Sequence, residues 1–254
     1  VRESRFVKVT RFPFPCLVSL LLGLLAIPAL AEDTPADKSV DTAPDKPTVA
    51  VLYFDYDGAN AEMKLLKKGL AQMIISDLSA HDSVRIVERD RLQQVMDELR
   101  LTQSNRFDQG AAHRLGKLLG ARYLVMGGYF DVMNTLRVDA RVVETETGRI
   151  IRSVGTQSTP DKFLTLEQTL VEELRAVFEE LTAGADAPAQ PPAKPKPARG
   201  RPRKLTRDTA LRYARALDAK DRKDLVTAKK ELTAVVKAQP DFQLASQELA
   251  LLMK

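Results

Sequence analysis

The chain has 254 residues, 44% of them hydrophobic and 29% charged, which suits one or two globular domains and excludes a disordered chain. It holds a single cysteine, Cys16, and no tryptophan, and its formal net charge of +5 is unevenly spread. Without residues 1–31 the charge falls to +2, and the segment 183–204 by itself carries +5, so the remainder is slightly acidic.

The N-terminus reads as an export signal. Arg2, Arg5, Lys8 and Arg11 form a basic start, an apolar run follows, and Ala29 and Ala31 make a small-x-small site before Glu32. The run is short for a membrane span and Pro28 falls near its end, so cleavage after Ala31 is expected and an uncleaved anchor is the alternative. Cys16 precedes the apolar run and would leave with it. The mature chain would then have no thiol for a disulfide, a zinc site or a nucleophile.

Residues 32–47 are polar and contain proline, the composition of a flexible leader. A first domain is expected over 48–182. TVAVLYF reads as a buried strand, and Met63, Leu66, Leu70, Met73 and Ile74 predict a helix over 61–80. VRIVER is a second strand. Leu92, Val95, Met96 and Leu99 mark a second helix, and Asp108 caps a third that Gly120 ends. ARYLVMGGYFDV is a further strand, with Gly127 and Gly128 marking a bulge or a close backbone approach. In TLRVDARVVET, Leu136, Val138, Ala140 and Val142 alternate with Arg137, Asp139 and Arg141, which predicts one buried and one wet face. Glu146-Thr147-Gly148 turns the chain into RIIRSVGTQS. Pro160 opens a helix with the stripe Phe163, Leu166, Leu170, Leu174, Val177 and Leu181. The expected fold is α/β (α+β), a mixed sheet with packed helices in the order β-α-β-α-α-β-β-β-α.

Residues 183–204 read as a proline-rich, basic linker. Beyond it, 205–254 is purely helical. Tyr213, Leu217, Ala228, Leu232, Val235 and Pro240 stand at the packing positions of one tetratricopeptide-like (TPR-like) repeat, with a trailing helix from Asp241. One repeat buries little core alone, so this module is expected to lean on the first domain or on another chain.

Several motifs raise chemistry. Asp55-Tyr56-Asp57-Gly58 has the spacing of a phosphatase nucleophile loop, but no hydroxyl follows the second strand, where Glu88-Arg89-Asp90 stands, and a magnesium-binding acid pair is missing. Asp55 and Asp57 read as solvent-facing residues that begin a loop. Leu66 occupies the closing position of an EF-hand loop, and LGKLLG lacks phosphate-loop spacing. His81 and His113 read as surface or helix-end residues, and Glu88 with Arg89 as a solvated ion pair, with a partner contact as the alternative. No catalytic residue, metal site or cofactor is expected. Arg199, Arg201 and Arg203, with Lys194, Lys196 and Lys204, resemble an AT-hook, but an exported chain does not meet the chromosome. An anionic wall polymer or a lipid surface is the expected contact for these charges.

VAVLYFD, VRIVERDRLQQVMDELRL, AAHRLGKLLGARYLVMGGY and ARVVETETGRII together resemble, in order, the blocks of the curli-assembly channel family (CsgG-like), over about residues 48–182. Relatives by fold include the N-terminal domain of TolB-type proteins and the envelope lipoproteins that activate penicillin-binding synthases. The resemblance implies an envelope protein, periplasmic or outer-membrane-associated, that works by contact with other envelope proteins or by homo-oligomerisation, not by catalysis. It also implies the rival of a ring-forming secretion channel. The lack of a lipobox and the short late-strand connections depart from that pattern.

Overall fold

Buried apolar residues form β1 (Thr48–Val51), whose Val49, Ala50 and Val51 are closed to solvent on both faces, as a strand with parallel neighbours requires. The computed structural model describes residues 46–99, 109–183 and 205–254. The expected cleavage site, the leader up to residue 45, the Asp108 cap and the basic residues of the linker lie outside them. After β1 come β2 (Asp55–Tyr56), a 3-10 turn at Met63–Leu65, α1 (Leu66–Ser79), β3 (Arg85–Ile86), α2 (Arg89–Glu98) and α3 (Gln109–Leu119). The chain continues through β4 (Tyr123–Val132), β5 (Thr135–Glu144), β6 (Ile150–Ser158) and α4 (Phe163–Ala183). It closes with α5 (Arg207–Asp221), α6 (Leu225–Ala238) and α7 (Gln243–Met253). The expected mixed α/β order is observed, with β2 added. The first α-helix begins at Leu66, later than its apolar spacing suggested, because Met63–Leu65 winds into the tighter 3-10 form.

The sheet runs β3-β1-β4-β5-β6, with β2 also on β4. β1 pairs parallel with β3 and β4, while β4, β5 and β6 are antiparallel. The loop expected at Asp55 is instead strand. Asp55 and Tyr56 pair parallel with Gly128 and Tyr129, beyond the stretch of β4 that β1 occupies. Between the two strands, Leu52 N–H donates to Val125 O at 2.8 Å and the fully buried Phe54 turns into the core. Gly127 permits this: a Cβ there would stand 2.0 Å from Asp139 O and 2.9 Å from Phe54 Cε1. The β4–β5 register runs unbroken from Tyr123↔Glu144 to Val132↔Thr135, so the glycine pair marks close approach and not a bulge.

One face of the antiparallel half is covered; the other is buried at Leu124 and Val143 and open from Arg141 to Phe130. Leu136, Val138, Ala140 and Val142 are buried, while Arg137 and Arg141 on the opposite face are exposed. The α4 stripe of Phe163, Leu166, Leu170, Leu174 and Val177 is buried on the covered side. In α1, Leu70 and Ile74 are fully buried, each contributing about 1.5–3 kcal/mol relative to an exposed side chain.

Candidate functional site: the joint between the sheet layer and the C-terminal helices

Helix α5 lies against α1 at a contact made of small residues. A Cβ added to Gly69 would come within 3.1 Å of Ala214 Cβ and 3.6 Å of Ala210 O, so the two backbones approach closely. Thr206 caps α5 by accepting from Thr209 N–H, and Asp224 caps α6 by accepting from Thr227 N–H at 3.0 Å. Within the helices, Tyr213, Leu217, Ala228, Leu232 and Val235 are all buried, and the Tyr213 ring meets Phe242 edge-on at 4.9 Å. Pro240, grouped with them by spacing, is exposed beyond the end of α6, where it cannot continue the helix.

A buried network of charges closes the joint. Arg89 Nη1 donates to both carboxylate oxygens of Asp221, at 3.0 and 2.9 Å, and Nη2 to Asp90 at 2.7 Å. Lys68 on α1 reaches Asp221 at 2.8 Å and Asp218 at 2.9 Å. Lys220 joins Asp90 of α2 at 3.1 Å to Glu248 of α7 at 2.8 Å. The Arg89 side chain is 1% exposed, and those of Lys68 and Asp221 are each 8% exposed. The solvated ion pair expected at Glu88-Arg89 is therefore replaced by a buried one, with a partner 132 residues along the chain. The reason is tertiary: α5 removes the guanidinium from water and supplies the carboxylate that makes this tolerable.

Burial opposes the Arg89 charge, but Tyr53 and the carboxylates of Asp221 and Asp90 outweigh it and hold its pKa above the ordinary value. Burial likewise disfavours the Lys220 ammonium, and Glu248 with Asp90 reverses the sign. Burial raises the pKa of Tyr53, whose hydroxyl donates to Gln93 at 2.7 Å and accepts from Arg89 at 3.2 Å, and that of Tyr213. Such an array fixes the pose of the helices on α1 and α2. It offers no nucleophile with an adjacent base.

Of the other sequence candidates, Asp55 and Asp57 are exposed, and a Cβ at Gly58 would strike the Tyr56 hydroxyl. His113 Nδ1 lies 3.1 Å from Thr145 O, and among the described residues no three His, Cys, Asp or Glu side chains gather as a metal site. The signal residues Ala29, Ala31 and Glu32 and the basic Lys194, Lys196, Arg199, Arg201, Arg203 and Lys204 are outside the described residues.

Residues 38–135 match the family model of the curli production assembly/transport component CsgG. The chain carries a CsgG-like segment. That segment runs from before β1 to the start of β5, so it includes Lys68 and Arg89 but not the C-terminal helices. No curated protein matches the chain. Among solved structures, the C-terminal domain of LpoB from Salmonella enterica is 16% identical over 47% of this chain and 87% of its own, with a TM-score of 0.37. Lipoprotein GNA1162 from Neisseria meningitidis is 10% identical over 51% of this chain and 98% of its own, at 0.39. The PelC dodecamer from Paraburkholderia phytofirmans is 12% identical over 52% of this chain and 87% of its own, at 0.31.

Sequence reasoning singled out Arg89 but missed its partner Asp221, and missed Lys68 and Asp218. A signal was present. Arg89 opens α2 and Asp221 ends α5, and each charge opposes the macrodipole of its own helix. Paired charges that are locally misplaced point to a partner elsewhere in the fold.

Proposed function

We propose that the protein is a non-enzymatic, exported component of the cell envelope, a scaffold or accessory in assembling a secretion or outer-membrane complex. The match of residues 38–135 to the CsgG family model is the observation that carries this reading. Under it, the signal is cut between Ala31 and Glu32, and the protein works in the periplasm or at the outer membrane. Its partners are envelope proteins or further copies of itself. The open face of β4, β5 and β6, with Phe130, Arg137 and Arg141, offers one contact surface. The helices held by the Arg89–Asp221 joint, TPR-like in spacing, offer another in a fixed pose. The basic residues Lys194 to Lys204 supply an electrostatic contact to anionic wall polymer or lipid.

Cell fractionation with intact and native mass measurement tests this reading. A mature chain beginning at Glu32, soluble in the periplasm and crosslinked to envelope proteins through the sheet face, supports it. Loss of those crosslinks in Phe130→Asp/Arg141→Glu, with an unchanged unfolding curve, identifies the face. A chain retained in the cytoplasm overturns it. The family description also names transport, which favours the second reading, an oligomeric secretion channel. That channel predicts a large ring released from the outer membrane only by detergent.

A further inference from the structure

We propose that the loop end of the C-terminal helices is a docking surface for an anionic lipid bilayer. The direction of the helices gathers its residues. Tyr213 meets Phe242 and Lys220 meets Glu248, so α7 runs alongside α5 in the same sense. The end of α7 therefore lies at the same end as the α5–α6 connection. There Val226 is 82% exposed, Met253 70%, Leu251 60% and Leu225 48%.

Lysines surround these apolar side chains. Lys223 stands in the connection with a φ of 63°, Lys230 lies one turn along α6 from Val226, and Lys254 follows Met253; all three are exposed. Three acids of this end are committed elsewhere. Asp218 pairs with Lys68 and Arg222, Asp221 with Lys68 and Arg89, and Glu248 with Lys220. Asp224, the cap of α6, is exposed and keeps its negative charge, which the hydrogen bonds from Thr227 favour; Lys223, Lys230 and Lys254 outnumber it. The end thus presents apolar groups within a positive field. A second copy would set lysine against lysine. An anionic bilayer satisfies both parts: apolar side chains enter the acyl boundary and ammonium groups meet headgroup phosphates. No described helix is long and apolar enough to cross a membrane, and what this end offers is an interfacial contact. The proposal does not rest on the scaffold reading, because it is tested with no protein partner present.

The test is co-sedimentation of the full mature chain with phosphatidylcholine vesicles containing graded phosphatidylglycerol, at low and high salt. Partitioning is expected to rise with phosphatidylglycerol and fall with salt. Val226→Asp/Met253→Asp should reduce it at least about tenfold. Each of Lys223→Gln and Lys230→Gln should reduce it roughly fivefold. All variants should keep the parent's circular dichroism and unfolding midpoint. Binding that survives Val226→Asp/Met253→Asp, or that vanishes only when the six basic residues of 194–204 are changed to Gln, overturns the proposal in favour of the linker. Absence of binding overturns it outright. A concentration-dependent dimer abolished by Val226→Asp/Met253→Asp, without vesicle binding, assigns the surface to a second copy instead.

Discussion

Two sets of ion pairs in this protein use the same side-chain chemistry in opposite surroundings. At the joint, Arg89 and Asp221 meet with 1% and 8% of their side chains exposed; on the open sheet face, Arg137 and Asp139 meet at 2.8 Å with 45% of each exposed. The distances are alike, so geometry does not separate them. Solvent does. In water the Arg137–Asp139 attraction is screened and adds little to stability. Inside the joint, each ion has lost several kcal/mol of hydration, and only the complete network makes the arrangement tolerable. The joint therefore acts as a constraint: its charges demand that α5 sit where Lys68 and Arg89 are.

The comparison breaks first at Arg89. Arg89→Ala should destabilise the protein by about 3–5 kcal/mol in denaturant unfolding, because Asp221 is left buried with one partner fewer. Arg89→Met combined with Asp221→Leu should recover part of that loss, since the apolar pair removes the stranded carboxylate while Lys68 keeps Asp218 as its partner. A double variant as unstable as the single one would mean that packing, not charge, makes the joint. Next in size, Gly69→Val should cost about 1–3 kcal/mol by pushing Ala214 and α5 away from α1, read as a lower unfolding midpoint.

An alkaline titration sharpens the same contrast. Burial raises the pKa of Tyr53 and Tyr213 above the ordinary 10.0. The folded state thus favours the protonated phenols, whose contribution is fully present below pH about 10 and is lost as the pH rises beyond it. Stability should be insensitive to these groups up to that point and then fall. Tyr53→Phe should make the decline shallower, although it loses about 1 kcal/mol at neutral pH with the Gln93 and Arg89 hydrogen bonds. The smallest effect belongs to the open face. Arg137→Ala should change stability by less than about 1 kcal/mol, and any change should shrink further in high salt.

The parts of the fold that repeat at short range were legible. Alternation along 136–142 announced a half-wet strand, and the Phe163-to-Val177 stripe announced a covering helix, because side-chain periodicity follows backbone geometry. Tetratricopeptide-like spacing found the buried set from Tyr213 to Val235 for the same reason, and Pro240 follows the end of α6 as a helix-stopping residue. The β2 strand escaped notice. Two residues carry no periodicity, and Asp55-Tyr56 becomes strand only because Phe54 and Gly127 let the chain return to β4. At the joint, Arg89 read as a surface residue because arginine is seldom buried and its partner is 132 residues distant.

Local pattern was enough to determine the mixed α/β class, the order of the major elements and the apolar faces, each of which depends on residues within a turn or a strand of one another; the family resemblance rests on the order of four such blocks along the chain. Tertiary structure alone decided where α5, α6 and α7 rest and which charges leave water. The energy of an ion depends on everything that surrounds it, and those surroundings come from segments far apart in the chain.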